Sequence, residues 1–449
     1  MHDLTTGSIS RHLLKTTSFM LVTMVFQTLY FLIDLYWVGR LGSEAVAAVA
    51  VAGNLTFIVL AITQMLAVGT TTVISHAIGS KDQPRAQLVF NQSQVLAVVA
   101  GVVFFGLAMA LRLTYANALS ANGVTAALAA DYLLWFIPAM ALQFAIVAMG
   151  AALRGTGNFK PGMIVQTVSV ILNMILAPFL IFGWVTGWAL GVAGAALSSL
   201  ISVIVGTAWL ALYFRPADAF LHFRRSLWKP RFELWWQMLK VGLPAGAEFA
   251  LMAVYLFIVY MITRPFGAAA QAGFGIGLRI VQAGFMPVVA LGFAVAPVAG
   301  QNFGARLRSR VTDTFKIAAI LAAAAMVALG VLCHLAPEAM IGVFSNDPAV
   351  IAVGEEYLRI VSWSFVGSGV VFVTSSMFQA LGNTVPALIS SMTRVLIVAV
   401  PLILLSRFEG FRLSWIWYLS ALSVAVQLAM MLLFLQREMR ARFSLTVAT

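Results

Sequence analysis

The chain has 449 residues, 62% of them hydrophobic and only 9% charged, with a mean hydropathy of +0.98. That composition excludes a water-soluble globular fold, since no single core has room for so much apolar surface, and it puts the chain in lipid. The net charge of +12 would suit a nucleic-acid binder, but its distribution along the chain is a topology signal, and the single cysteine, Cys333, permits neither an intramolecular disulfide nor a thiolate metal cluster.

A membrane-crossing helix needs about 20 mostly apolar residues. Twelve such stretches follow in order, near 13–38, 45–75, 88–111, 125–153, 162–183 and 188–214, then 236–263, 268–299, 314–334, 350–378, 385–406 and 413–436. The first opens with Arg11 and Lys15 but has a long apolar run and no small-residue cleavage site, so it reads as a retained span rather than a signal peptide. Between the sixth and seventh lies the one long polar segment, Arg215-Pro216-Ala217-Asp218 through Lys229-Pro230-Arg231 to Lys240. It reads as a cytoplasmic linker at 215–240 between bundles at 1–214 and 241–449, with an amphipathic piece around Phe232–Trp236 resting on the inner leaflet.

The second half repeats the first at one constant offset. Gly42 falls on Gly267, Gly79 on Gly304, Arg85 on Arg310, Asp131-Tyr132 on Glu356-Tyr357, and Gly157-Asn158…Pro161 on Gly382-Asn383…Pro386. Six spans per repeat is an even number, so both halves enter and leave on one side. The expected fold is an all-α polytopic membrane protein of 12 transmembrane helices in two pseudo-symmetric, parallel six-helix bundles, the architecture of many secondary transporters. With the N-terminus in the cytoplasm, the segments on that side carry nineteen Lys and Arg, against Arg40, Arg112, Arg264, Arg407 and Arg412 on the other. This positive-inside bias predicts that both termini are cytoplasmic. The remaining loops are short, and no nucleotide-binding loop, dinucleotide fingerprint or paired His/Cys ligand set is present, so ATP-driven and metalloenzyme readings have no residues to stand on.

Charges inside spans carry the functional signal, because each costs at least about 2.5–3.5 kcal/mol at a helix centre. Asp34 lies in Phe31-Leu32-Ile33-Asp34-Leu35-Tyr36. It either pairs with Arg40 at the membrane surface or serves as an intramembrane carboxyl that exchanges a proton or cation. Glu248 follows Pro244 by one turn in the seventh span, and Arg279 sits deep in the eighth. A Glu248–Arg279 ion pair would let both charges be tolerated, as a structural pair or as part of a gate. Arg359, with Glu355 and Glu356 one turn before it, and Arg394 are further interior candidates. Asn173 precedes Pro178 in the fifth span, where its amide would bond the Asp34 carboxyl, ligate a cation or join two helices. Tyr36, Asn54, Arg279 and Gln282 are the expected cavity-lining residues.

Several motifs together resemble the multidrug and toxic compound extrusion (MATE) transporters, nearest their DinF-like and NorM-like bacterial branches. They are Ile33-Asp34-Leu35-Tyr36-Trp37-Val38-Gly39-Arg40-Leu41-Gly42, Arg154-Gly155-Thr156-Gly157-Asn158 with Pro161, and Gly191-Val192-Ala193-Gly194-Ala195-Ala196. In the second half they are Gly242-Leu243-Pro244 with Glu248, and Pro297-Val298-Ala299-Gly300-Gln301-Asn302-Phe303-Gly304-Ala305. The resemblance covers nearly the whole chain. It implies a monomeric, non-enzymatic antiporter in the bacterial inner membrane, without cofactor or nucleic-acid partner, that exports small amphipathic compounds against H⁺ or Na⁺. It further implies Asp34 as coupling carboxylate, Asn173 as its fifth-helix partner and Glu248 as the acid found in some members. One departure bears on the ion: many members carry a second Asp where this chain has Ala177. A Na⁺ site in the N-terminal bundle, at Asp34 and Asn173, would therefore lack one carboxylate, which favours H⁺; Glu248 is the other candidate Na⁺ position. The alternative is a lipid-linked precursor flippase of the same superfamily, which would need an Arg-rich cavity.

Overall fold

A computed structural model describes residues 2–184, 187–216 and 219–444. The Ala217-Asp218 step of the expected linker lies outside them. Among the described residues, twelve helical spans are long and apolar enough to cross a membrane. The first six are α1 (Ile9–Gly39), α2 (Ser43–Gly79), α3 (Gln83–Leu119), α4 (Gly123–Gly155), α5 (Phe159–Phe182) and α6 (Val192–Tyr213). The next three are α7 (Phe232–Thr263), α8 (Ala268–Gly304) and α9 (Arg308–Leu335), and a short α10 (Pro337–Gly342) follows. The tenth span is α11 (Pro348–Val361) and α12 (Phe365–Leu381), joined by one 3₁₀ turn at Ser362–Ser364, where the sequence predicts a continuous helix. Finally come α13 (Val385–Leu405) and α14 (Leu413–Ser444). No strand occurs among the described residues.

Local chemistry sets the ends of these helices. Asp82, Asn122 and Asp347 cap α3, α4 and α11, each accepting a backbone N–H from the first turn at 2.8–3.0 Å. Left-handed Gly183 and Gly382 end α5 and α12. The internal repeat is written into the backbone itself. α2 and α8 run from 43 to 79 and from 268 to 304, and α3 and α9 open at 83 and 308. The turns between them place Lys81 and Arg306 at φ 59° and 58°, the only non-glycine residues with positive φ among those described. In each, the next N–H reaches back to a helix carbonyl, Asp82 to Ala77 at 2.8 Å and Leu307 to Asn302 at 2.9 Å. A side chain in this conformation costs roughly 1–2 kcal/mol, and the two halves accept that cost at the same place.

The chain divides into two compact units, one of residues 1–3 and 18–242 and one of residues 4–17 and 243–449. α1 and α7 therefore each contribute residues to both. In the first unit α4 is the most enclosed span, and in the second α8 and the α11–α12 span are. This central placement explains the small residues on α4, since helices surrounded on all sides approach closely only where side chains are short.

The polar connection before α7 is held to the first unit by three amides at the start of α3. Gln92 donates to the carbonyls of Leu227 (2.6 Å) and Lys229 (2.8 Å) and accepts from the Arg231 N–H and the Trp235 indole. Asn91 bonds His222, Arg224 and the Trp228 indole, and Gln87 clasps the His222 backbone through both its N–H and its carbonyl. Phe232–Trp236 forms the opening of α7, with Phe232 and Trp236 exposed. In the second unit Leu4 is tied down in a comparable way, its N–H to Gln301 at 3.0 Å and its carbonyl to Asn302 at 3.1 Å, with Arg310 bridging Asn302 and Gly7.

Replacing Gln92 with Leu leaves four backbone and indole groups without their partner, at about 1–3 kcal/mol for each that stays buried. Q92L should lose at least about 2 kcal/mol in detergent unfolding and be cut faster by trypsin at Arg224 and Arg225. An unchanged melting curve and cleavage rate would show that the amide clasp does not hold the connection.

Candidate functional site

α1 is the least enclosed of the twelve spans, yet one stripe of it turns inward. Tyr30, Asp34, Trp37 and Val38 follow the i, i+4, i+7, i+8 spacing of a helix face, and Asp34 is only 9% exposed. Its Oδ1 is buried with no hydrogen-bond partner among the described residues. Arg40 does not pair with it: its guanidinium lies over the rings of Tyr36 and Trp37, 5.1 and 5.6 Å from their centroids. A surface ion pair therefore does not account for Asp34. One turn earlier, the Tyr30 hydroxyl meets Ser199 Oγ at 2.9 Å. The Asn173 amide of α5 donates to Ser198 Oγ at 3.2 Å and Ser199 Oγ at 3.1 Å. The phenols of Tyr30 and Tyr132 lie within electrostatic reach of the Asp34 carboxyl.

The first unit thus holds a hydroxyl-amide chain, Tyr30–Ser199–Asn173–Ser198, beside an unpaired carboxyl. Of the partners open to Asn173, the structure has its amide joining two helices, with the α6 serines taking it and no Asn173–Asp34 hydrogen bond among the described residues. They reach it because α5 and α6 pack tightly at Gly194, where a Cβ would come within 2.5 Å of the Leu180 carbonyl oxygen. Ala177 is buried and offers no ligand. Tyr30 and Tyr132 are neither charges nor amides, so the sequence does not mark them as site residues, although Tyr132 is half of a repeated acid-Tyr pair.

In the second unit Glu248 is held in a different way. Ser375 of α12 donates to its Oε2 at 2.9 Å and Ser391 of α13 to its Oε1 at 3.1 Å. Gln427 of α14 in turn donates to Ser391 at 3.2 Å, and its own Oε1 is buried without a partner. The expected Glu248–Arg279 ion pair does not form among the described residues. The reason is rotational: Gly273, Phe274 and Gly277 are the buried face of α8, and Arg279, two residues on, is exposed on the other side. The cation beside the Glu248 network is Arg394, whose guanidinium lies 5.1 Å from the Tyr255 ring centroid. Tyr255 is two turns from Glu248 on α7 and Arg394 one turn from Ser391 on α13, so the two sites stack along the same pair of helices. Tyr255 itself donates to Ser420 at 2.7 Å.

The other candidates scatter. Tyr36, Asn54, Arg279 and Gln282 are exposed, and none is hydrogen-bonded to Asp34, Asn173 or Glu248 among the described residues. Arg359 is satisfied by Glu355 at 2.8 Å, as its i, i+4 spacing implies, and Cys333 is buried and free. No group of three or more His, Cys, Asp or Glu that could hold a metal ion exists among the described residues.

The two serines at Glu248 donate to a carboxyl that Gln imitates in shape and Leu does not. E248Q should keep stability within about 1 kcal/mol, while E248L should lose about 2 kcal/mol or more in detergent unfolding, because it leaves hydroxyls unpaired. Equal stability of both variants would mean that the serine contacts contribute little.

The arrangement has clear relatives. The MatE family model matches residues 20–179 and 244–405, most of both repeats. A multidrug export protein, MepA, from Staphylococcus haemolyticus is 26% identical over 436 residues, covering 96% of this chain and 95% of its own. An outward-facing multidrug resistance MATE family transporter of the MOP superfamily superposes with a TM-score of 0.89 at 23% identity, over 98% of both chains. A MATE crystal structure in the bent conformation reaches 0.92 at 23% identity, over 99% of this chain and 98% of that one. With both repeats matched, this twelve-span chain belongs to the MATE family.

Proposed function

We propose that the protein is a proton-coupled exporter of small amphipathic compounds, many of them cationic, working by alternating access as a monomer in a bacterial inner membrane with both termini in the cytoplasm. The observation that carries this reading is Asp34: a carboxyl in a membrane span, nearly enclosed, with a buried oxygen and no counter-ion among the described residues. An unpaired carboxylate at that depth is expensive, whereas the protonated acid is not. A group whose charge is tolerated only when water or a cationic cargo reaches it is suited to trade a proton for that cargo. Export by the MepA relatives supports the substrate class.

Coupling requires that the proton bind two conformations of the transporter with different affinity, since a ligand bound equally by both shifts nothing. The Tyr30–Ser199–Asn173–Ser198 chain gives the first unit a switchable element. Its hydroxyls can turn to donate to a charged Asp34 or to one another, so that one proton alters the packing of α1 on α6. The driving force is adequate in size. For a neutral cargo, one positive charge moving down 100 mV releases about 2.3 kcal/mol, which balances roughly a 50-fold concentration ratio. One-for-one exchange with a monovalent cation is electroneutral, and each unit of pH difference then balances about a tenfold ratio. H⁺ is preferred to Na⁺ because a proton needs one basic atom while Na⁺ favours several oxygens. Here the neighbours of Asp34 are hydroxyls and an amide already bonded to one another, and Ala177 adds none. Arg279 and Arg394 are set against the carboxyls of Asp34 and Glu248, a balance that favours cationic or neutral cargo over the pyrophosphate a flippase would hold.

Asp34→Asn keeps the size and removes the titration. In a drug-hypersensitive host, D34N should lower resistance to the level of the empty vector while the protein accumulates in the membrane as the wild type does. Resistance retained by D34N at normal expression would remove Asp34 from the mechanism.

A further inference from the structure

Away from both candidate sites, the second unit has a cavity of about 370 Å³ between the ends of α9, α12 and α14. One stripe of α14 forms its wall, Leu432, Leu435, Gln436, Met439 and Arg440, at the i, i+3, i+4, i+7, i+8 spacing of a single face. α9 supplies Arg308, Thr312 and Phe315, and the buried Met377 of α12 is the floor. The chemistry is graded along the helices. Arg308 opens α9, and Arg440 lies in the last turns of α14, so both guanidiniums sit at one end of the cavity. Phe315 and Leu432 lie two turns deeper, about 10–12 Å into the bundle at about 1.5 Å per residue.

Neither Arg308 nor Arg440 makes an ion pair among the described residues, and no acid lines the cavity. The nearest acids in sequence do not compete: Asp313 is not part of the lining, and Glu438 is taken by Arg442 at 2.9 Å. The repeat adds an independent sign. In the first half the equivalent helix start is capped by Asp82, but the matching position of the second half is Leu307, and no side chain caps α9. The second half thus has no resident carboxylate at this helix start, and the two unpaired cations beside it can receive an anion from outside.

We propose that this cavity binds one anionic phospholipid, its phosphate held between Arg308 and Arg440 and an acyl chain laid over Phe315 and Leu432. A head-to-tail gradient of this length matches a lipid oriented in its leaflet, and unpaired arginines at a span end are what anionic head groups seek. The site is distinct from the coupling carboxyls, and its test needs no transport.

The test is native mass spectrometry of the full-length detergent-solubilised protein titrated with dioleoylphosphatidylglycerol or dioleoylphosphatidylcholine. The wild type should retain one phosphatidylglycerol at concentrations where phosphatidylcholine is lost, and Arg308→Gln/Arg440→Gln should weaken that retention at least about tenfold. Both arginines are exposed, so the variant should fold, and an unchanged melting curve checks this. Equal retention of the two lipids, or unchanged phosphatidylglycerol binding by the double variant, would overturn the proposal. Displacement of the lipid by millimolar inorganic phosphate would also overturn it, in favour of a soluble anion.

Discussion

The interaction on which the rest depends is one that is missing: the counter-ion of Asp34. Other charges within the spans have contacts: Glu355 takes Arg359, two serines take Glu248, and Arg394 lies over the Tyr255 ring, although its Nε is buried without a hydrogen bond among the described residues. Asp34 is left with a buried oxygen and no partner for it among the described residues. A bilayer-spanning helix tolerates such a group only if its charge can be removed or its surroundings can change, and a transporter does both. Helix packing next to Asp34 serves this end. Gly194 lets α5 and α6 approach closely enough for Asn173 to engage both serines, which leaves the carboxyl unclaimed.

The internal repeat explains the scaffold but not the sites. Backbone turns recur at the same offset down to the left-handed Lys81 and Arg306, so the duplication governs where helices begin and end. Side-chain chemistry has diverged on top of it. Asp34 falls on Val259 and Glu248 on Thr23, so each repeat keeps an acid on its first helix but three turns apart in register. Asp82 falls on Leu307, so the second half lacks the carboxylate that caps the corresponding helix of the first. A duplicated bundle of this kind can hold its architecture constant while its two halves specialise.

Much of the fold was legible in the sequence because hydropathy summed over a membrane-spanning length is a strong signal, and because the offset between the halves needs no gap. Asp34 and Glu248 were legible for the same reason, as charges against an apolar background. What escaped depends on helix rotation. Arg279 looked like the partner of Glu248 from depth alone, yet it lies two residues past Gly277 and so turns to the opposite face. Ser375 and Ser391 gave no distinctive signal, since a serine in a span usually bonds its own helix, as Ser198 does to the Ala195 carbonyl at 2.7 Å. The 3₁₀ turn at Ser362–Ser364 interrupts an apolar run that carries no proline or glycine at that point, so neither composition nor periodicity marks it.

The most direct measurement is uptake of a fluorescent cationic drug by proteoliposomes of the purified protein, with a pH gradient and a Na⁺ gradient imposed in separate experiments. If Asp34 is a proton-exchanging carboxyl, the pH gradient alone should drive uptake, and a Na⁺ gradient at equal pH should add nothing. Drive by Na⁺ alone would contradict the account and point to a cation site away from Asp34. Absence of drive by either gradient would contradict the exporter reading itself.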